Sequence, residues 1–201
     1  MDYRQRIRSE VEEIAALPLM EAGVPPHIPL YMEQVIAFLE EQTRAIGRYR
    51  CDKALTKTMI NNYTKAGILP RPVKKKYGRE HIYRLNYIYL FKQILSIQDI
   101  GAFFSIPQEE GQIGPMYESF TALIDDYRGY YVQSVMRRLD RVEAHVRKHG
   151  ITGFWPTLML FISLMSLEAT VDQMICQRLL AGIREGDIES GSDARKEDTH
   201  D

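Results

Sequence analysis

Five polar side chains between Lys57 and Lys65 carry the plainest chemistry in this sequence. In the run LTKTMINNYTK, Lys57, Thr58, Asn61, Asn62 and Lys65 fall on one side of a helical wheel drawn at about 100° per residue, with Thr64 beside them. Met59, Ile60, Tyr63 and Ala66 fall on the other side. A carboxamide offers a donor and an acceptor side by side and matches the edge of a base; ammonium groups suit phosphates. No carboxylate interrupts that side. A second basic cluster follows at once: Arg71, Lys74, Lys75, Lys76 and Arg79 lie within nine residues. Arg48 and Arg50 precede the first. The chemistry this predicts is recognition of a polyanion, with Asn61 and Asn62 reading bases and the cations holding phosphates.

Other chemistries lack their residues. No nucleophile elbow, phosphate-cradling glycine loop, CxxC or HExxH occurs. His145 and His149 have the i, i+4 spacing of a metal pair, but no third ligand accompanies them, and solvent-facing histidines are the expectation. Cys51 and Cys176 are too far apart to announce a disulfide framework. We therefore expect no enzyme, no metal and no cofactor. The N-terminal MDYRQRIRSEVEEI has no apolar core of a signal peptide, so a cytoplasmic setting is expected.

Charge is segregated along the chain. Residues 1–43 carry a net −5, residues 44–92 a net +11 and residues 93–201 a net −7, so the formal total of −1 conceals one strongly basic segment. That footprint fits a nucleic-acid binder. The bland alternative is a solvated basic face balanced by acidic neighbours.

The surrounding elements must position this segment. Residues 3–17 place Ile7, Val11, Ile14 and Leu17 at helical spacing. GVPPHIP (Gly23–Pro29) is a connector that cannot be helical. Leu30–Ile46 reads as a supporting helix stopped by Gly47. Thr56 is the expected N-cap of the next helix, with Leu55 and Ile60 as its hydrophobic staple, Gly67 as its left-handed stop and Pro70 beyond. Arg71–Arg79 reads as a strand-like loop in which Gly78 permits a turn. Ile82–Leu95 is apolar and aromatic, with Leu85, Ile88 and Ile94 in the core and Tyr83, Tyr87 and Tyr89 at its edge; His81 is expected at a helix start or in the core. Ser96 and Asp99 form a capping box, and Ser105–Pro115 is a loop between two halves.

From Met116 to His149 a long helix is expected, with Met116, Phe120, Leu123 and Tyr127 in one stripe and Val132, Val135, Leu139, Val142 and Val146 in strict 3-4 spacing. A helix of this length needs either a second copy or a neighbouring helix to bury that seam, and dimerisation is the expectation. Phe154–Leu167 reads as a buried helix at a dimer interface. It is shorter than the roughly 20 apolar residues of a membrane span. The tail, Glu185–Asp201, reads as acidic and disordered.

INNYTKAGIL (Ile60–Leu69), the basic loop and RLNYIYLFKQILSIQDI (Arg84–Ile100) together resemble the MerR-type winged helix-turn-helix over residues 30–105. The chain is still more similar to a bacterial family of unassigned function that carries TKTMINNYTKA followed by KKY and a histidine. Two features depart from the MerR pattern: eight residues (Arg48–Leu55) intervene after Gly47, and KKKYGREH replaces the usual Gly-Tyr-Arg order. The resemblance implies a mainly α protein: a winged helix-turn-helix at 30–105, preceded by an N-terminal helix and connector (1–29) and followed by a helical dimerisation or effector region (115–184) and a tail (185–201). It implies a dimeric transcriptional regulator on double-stranded DNA, with an unidentified small-molecule effector; whether Trp155 lines such a pocket is open. The rival reading is a winged-helix adaptor whose basic face meets an acidic protein, in one variant with its apolar hairpin against a membrane.

Overall fold

The structure, a computed structural model, describes residues 2–18, 25–50, 55–106 and 111–188, without the side chains of 48–50. Among these residues seven helices and one small sheet follow in the order α1 (Tyr3–Ala15), β1 (Leu30–Tyr31), α2 (Met32–Arg50), α3 (Lys57–Lys65), β2 (Lys76–Tyr77), α4 (Arg79–Phe91), α5 (Ile97–Ser105), α6 (Ile113–Lys148) and α7 (Phe154–Glu185). The mainly helical class is as expected. The tail from residue 189 onward lies outside the described residues, as do Cys51 and Lys53.

One core gathers α2 to α5. Val35 and Leu39 of α2, Ile60 of α3, Leu69, Ile82, Leu85 and Ile88 of α4, and Ile100 of α5 are all buried. Two boundaries differ from expectation. Leu30 and Tyr31 are not helical but pair antiparallel with Tyr77 and Lys76, and the helix begins only at Met32. Gly47 does not stop α2, which runs on to Arg50. An interior glycine costs a helix about 1 kcal/mol but ends it only by adopting a left-handed φ, and Gly47 does not adopt one.

Gly78 is likewise no turn residue: at φ −85° it is the extended N-cap of α4, which starts three residues before Ile82. Tyr83, Tyr87 and Tyr89 are buried rather than at the core's edge, whereas Ile94 is 46% exposed. The Ser96–Asp99 capping box is present, the Asp99 amide donating to Ser96 Oγ at 3.1 Å and the Ser96 amide to the Asp99 carboxylate at 3.2 Å.

The span expected as a loop already contains the start of α6 at Ile113. Its first turns pack on α4. Tyr117 is fully buried, its hydroxyl accepting from Asn86 Nδ2 at 3.1 Å, and Phe120 stacks on Tyr87. Burial pushes the Tyr87 hydroxyl up to about 12.

Further along α6 lies a second core. Val135, Leu139, Val142 and Val146 are buried, and Val132 half-buried, beneath Tyr3, Ile7 and Val11 of α1 and Phe161, Leu164 and Met165 of α7. This corrects the assignment of Val132, Val135, Leu139, Val142 and Val146 to dimerisation: two helices of the same chain cover the seam. Arg4 of α1 is anchored to Asp140 and Glu143, and the Tyr3 hydroxyl donates to Glu143.

Gly150, at φ +66°, ends α6. The Ile151 amide reaches back to the Val146 carbonyl at 3.0 Å, the wiring of a Schellman stop. Beyond Gly153, α7 runs back along α6, and its second half meets α5, with Gln173 Nε2 donating to the Ile94 carbonyl at 2.6 Å. By length and apolarity alone α7 could cross a membrane; its most apolar 18 residues have a mean hydropathy of 1.4 and are 11% buried.

Candidate nucleic-acid interface

The helix that bears the amides is short and closed at both ends. Thr56, extended at φ −87°, accepts from the Met59 amide at 3.3 Å, and the staple pair Leu55 and Ile60 is buried. At the far end Gly67 takes φ +74°. There the Ile68 amide donates to the Tyr63 carbonyl at 3.0 Å and the Gly67 amide to that of Thr64 at 3.2 Å, again a Schellman stop. Ile60 and Tyr63 are buried, and burial raises the Tyr63 hydroxyl above its ordinary value. Lys57, Thr58, Asn61, Asn62 and Lys65 are all exposed together. Two residues sit differently from expectation: Thr64 is half-buried with its hydroxyl on the Ile60 carbonyl at 3.0 Å, and Ala66 is exposed.

The lysine-rich loop is a tight hairpin. The Val73 amide donates to the Lys76 carbonyl at 3.1 Å and the Lys76 amide returns to Val73 at 2.9 Å. Between them Lys74 and Lys75 both take the left-handed conformation, at φ 50° and 63°. A two-residue connection with both central φ angles positive is the type I′ turn that suits the twist of a hairpin, and it ordinarily carries Asn-Gly. Placing lysine at both positions costs on the order of 1–2 kcal/mol per residue. Lys74, Lys75 and Arg71 are exposed. Lys76 is not free in the same way: its ammonium lies 5.1 Å over the Tyr31 ring. Arg79 turns along α4, its Nη2 donating to the Tyr83 hydroxyl at 3.3 Å. Three consecutive lysines therefore do not alternate across a strand; two form the tip and the third anchors it. Arg48 and Arg50 lie outside the described side chains.

At the base of the hairpin His81 Nδ1 accepts from the Gly78 amide at 3.1 Å, so the neutral ring carries its proton on Nε2. Burial pushes this imidazole below its ordinary value, the carbonyls of Arg71 and Pro70 pulling the other way. Tyr77 meets the same ring edge-on at 5.3 Å.

Both basic segments are tied to one short stretch. Tyr31 takes the Lys76 ammonium, and two residues on, Glu33 takes the Lys57 ammonium at 3.4 Å. The hairpin and α3 therefore meet at the N-terminal end of α2. Sequence reasoning missed Tyr31 and Glu33, because nothing local to a helix-like run marks two of its residues as strand. Glu33 also qualifies the carboxylate-free face: its carboxyl is held below its usual range first by its own backbone amide and then by Lys57. Trp155 is 70% exposed, and no cluster of metal-ligating side chains occurs among the described residues.

No curated protein and no solved structure is significantly similar to the chain. Residues 23–120 match the family model of a domain of unknown function, DUF1836, a span from the connector through the hairpin to the turns of α6 that pack on α4.

Proposed function

We propose that this protein binds double-stranded DNA through a MerR-like winged helix-turn-helix, as a dimeric transcriptional regulator. In this reading α2 is the supporting helix, α3 enters the major groove and the Val73–Lys76 hairpin is the wing. Asn61 and Asn62 meet base edges; Lys57 and Lys65 with Lys74, Lys75 and Arg71 hold phosphates. The observation that carries it is the joint anchoring of α3 and the hairpin on Tyr31 and Glu33, which sets a polar, amide-bearing helix face beside a lysine tip. A solvated basic face has no need of lysine at two left-handed positions.

Fluorescence anisotropy against duplex DNA across a salt series tests the reading. Each phosphate contact contributes about 0.9 to the slope of log K on log salt, so Lys74→Ala/Lys75→Ala should flatten the slope by about 2 and weaken all sequences alike. Asn61→Ala should instead cost roughly 1–3 kcal/mol at one base position. Absence of binding at low salt would overturn the reading in favour of an acidic protein partner.

A further inference from the structure

Positive charge also collects between the two long helices. A cleft of about 380 Å³ opens there, walled by Tyr130, Ser134, Arg137, Arg138 and Arg141 of α6 and by Glu168 of α7. That volume lies in the range of about 300–1,000 Å³ that small-molecule sites occupy. Ser134, Arg138 and Arg141 follow at spacings of 4 and 3 and so share one flank of α6. The carboxylates of the same stretch, Asp140 and Glu143, turn to the other flank, where Arg4 of α1 holds both. Among the described residues Glu168 is the cleft's only carboxylate, and three guanidinium groups against it leave a net charge of +2.

The hydrogen-bonding capacity of these groups is largely unused. Arg138 places Nε 2.5 Å from the Glu168 carboxylate, but its Nη1 donates to Met165 Sδ at 3.6 Å, a weak acceptor. Arg137 lies 5.5 Å over the Tyr130 ring. Among the described residues neither Arg137 nor Arg141 meets a carboxylate, and both are exposed. Thr121, Thr157, Ser163 and Thr170 turn their hydroxyls onto carbonyls of their own helices. The half-buried Ser134 makes no such bond.

We propose that this cleft binds a phosphate dianion, free or as the monoester of a small molecule. Guanidinium forks match phosphate oxygens two at a time, and the Ser134 hydroxyl adds a donor on the same flank. Charge selects among phosphates. A monoester carries about −1.5 to −2 near pH 7, which the +2 of the cleft offsets, whereas each phosphodiester of a nucleic acid carries a single charge. The site stands apart from the DNA contacts proposed above, whose cations lie on α3 and the hairpin, and does not depend on them.

Isothermal titration calorimetry of the full chain at low ionic strength and pH 7.5 tests it. Inorganic phosphate and glycerol 3-phosphate are the probes, and dimethyl phosphate, a diester monoanion, is the control. One site per chain should saturate at or below millimolar probe, with dimethyl phosphate at least tenfold weaker. Tighter binding of glycerol 3-phosphate would make the occupant a phosphorylated small molecule, and tighter binding of inorganic phosphate would make it the free ion. Arg141→Gln should weaken both probes at least tenfold. Arg141→Lys keeps the charge without the fork and should recover only part of that loss. Arg178→Gln, in the second half of α7, should change nothing, and circular dichroism should be the same for all three variants. Arg137→Gln repeats the test if Arg141→Gln does not fold. No binding of either probe at millimolar concentration, equal affinity for monoester and diester, or equal losses in Arg141→Gln and Arg178→Gln would each overturn the site. Displacement of the probe by duplex DNA would also overturn it and add the cleft to the DNA-binding face.

Discussion

Lys74 and Lys75 sit where the backbone asks for Asn-Gly, and the strain they carry has a measurable counterpart. Lys74→Asn/Lys75→Gly keeps the type I′ turn and relieves the left-handed penalty at both positions, so urea unfolding should show a gain of about 1–3 kcal/mol once the chain entropy lost by the new glycine is set against it. The same change removes two cations from the hairpin tip. Anisotropy should therefore show weaker DNA binding by the more stable protein, and gains in both would show that the lysines serve no anion. His81 gives the second prediction at this scale. Its folded pKa is depressed, so the charged ring is disfavoured in the fold. Its contribution is complete above the ordinary histidine value and is lost as pH falls through and below that value. Protonation also takes away the Nδ1 lone pair that accepts from Gly78. Melting curves between pH 7.5 and 5 should show the wild type losing stability; His81→Asn, which keeps a short acceptor at N3 of α4, should lose less. Identical pH profiles would place the acid sensitivity elsewhere. The tyrosines and lysines of this region were legible as types, but their roles were not. The sequence marks Lys74, Lys75 and Lys76 as equals, and only the hydrogen bonds between Val73 and Lys76 separate the two at the tip from the one over Tyr31.

The cap residues of α3 were readable because capping is local: Thr56, Leu55, Ile60 and Gly67 act within one or two turns of where they stand. The same locality explains the capping box of α5. What could not be read is pairing at a distance. Leu30 and Tyr31 continue the apolar pattern of α2, and only the arrival of Lys76 and Tyr77, some 45 residues later, makes them a strand. That pairing also brings Glu33 to Lys57, which gives a test of how α2 and α3 are joined. The Glu33 carboxylate holds the Lys57 ammonium, the same cation that the proposed DNA reading offers to a phosphate. Exposed ion pairs are weak, so Glu33→Gln should leave unfolding unchanged and tighten DNA binding about two- to threefold at low salt, with the gain vanishing at high salt. Weaker binding would mean that Glu33 orients Lys57 instead of competing for it.

Among the described residues, two cores and an aromatic cluster between α4 and α6 are joined by the two long helices. The first turns of α6 pack on α4, and the second half of α7 meets α5, while the end of α6 and the start of α7 enclose the second core with α1. The 3-4 repeat from Val132 to Val146 was legible as a seam in need of a partner, but periodicity does not say which partner. The choice depended on residues 3–11, remote in sequence, whose Tyr3, Ile7 and Val11 complete the cover. This has a consequence that separates an internal core from an interface between copies. Leu139 is fully buried, so Leu139→Ala should destabilise by about 2–5 kcal/mol through lost contacts and a residual cavity. Because its neighbours belong to the same chain, that cost should persist at the lowest protein concentration that can be measured. A core shared between copies would instead have a midpoint that depends on concentration, since mass action links that part of stability to concentration. Denaturant titrations of Leu139→Ala over a hundredfold dilution range therefore tell the two apart. If the Leu139→Ala penalty shrank on dilution, Leu139 would belong to a contact between copies and the intramolecular packing of α1 on α6 would be wrong.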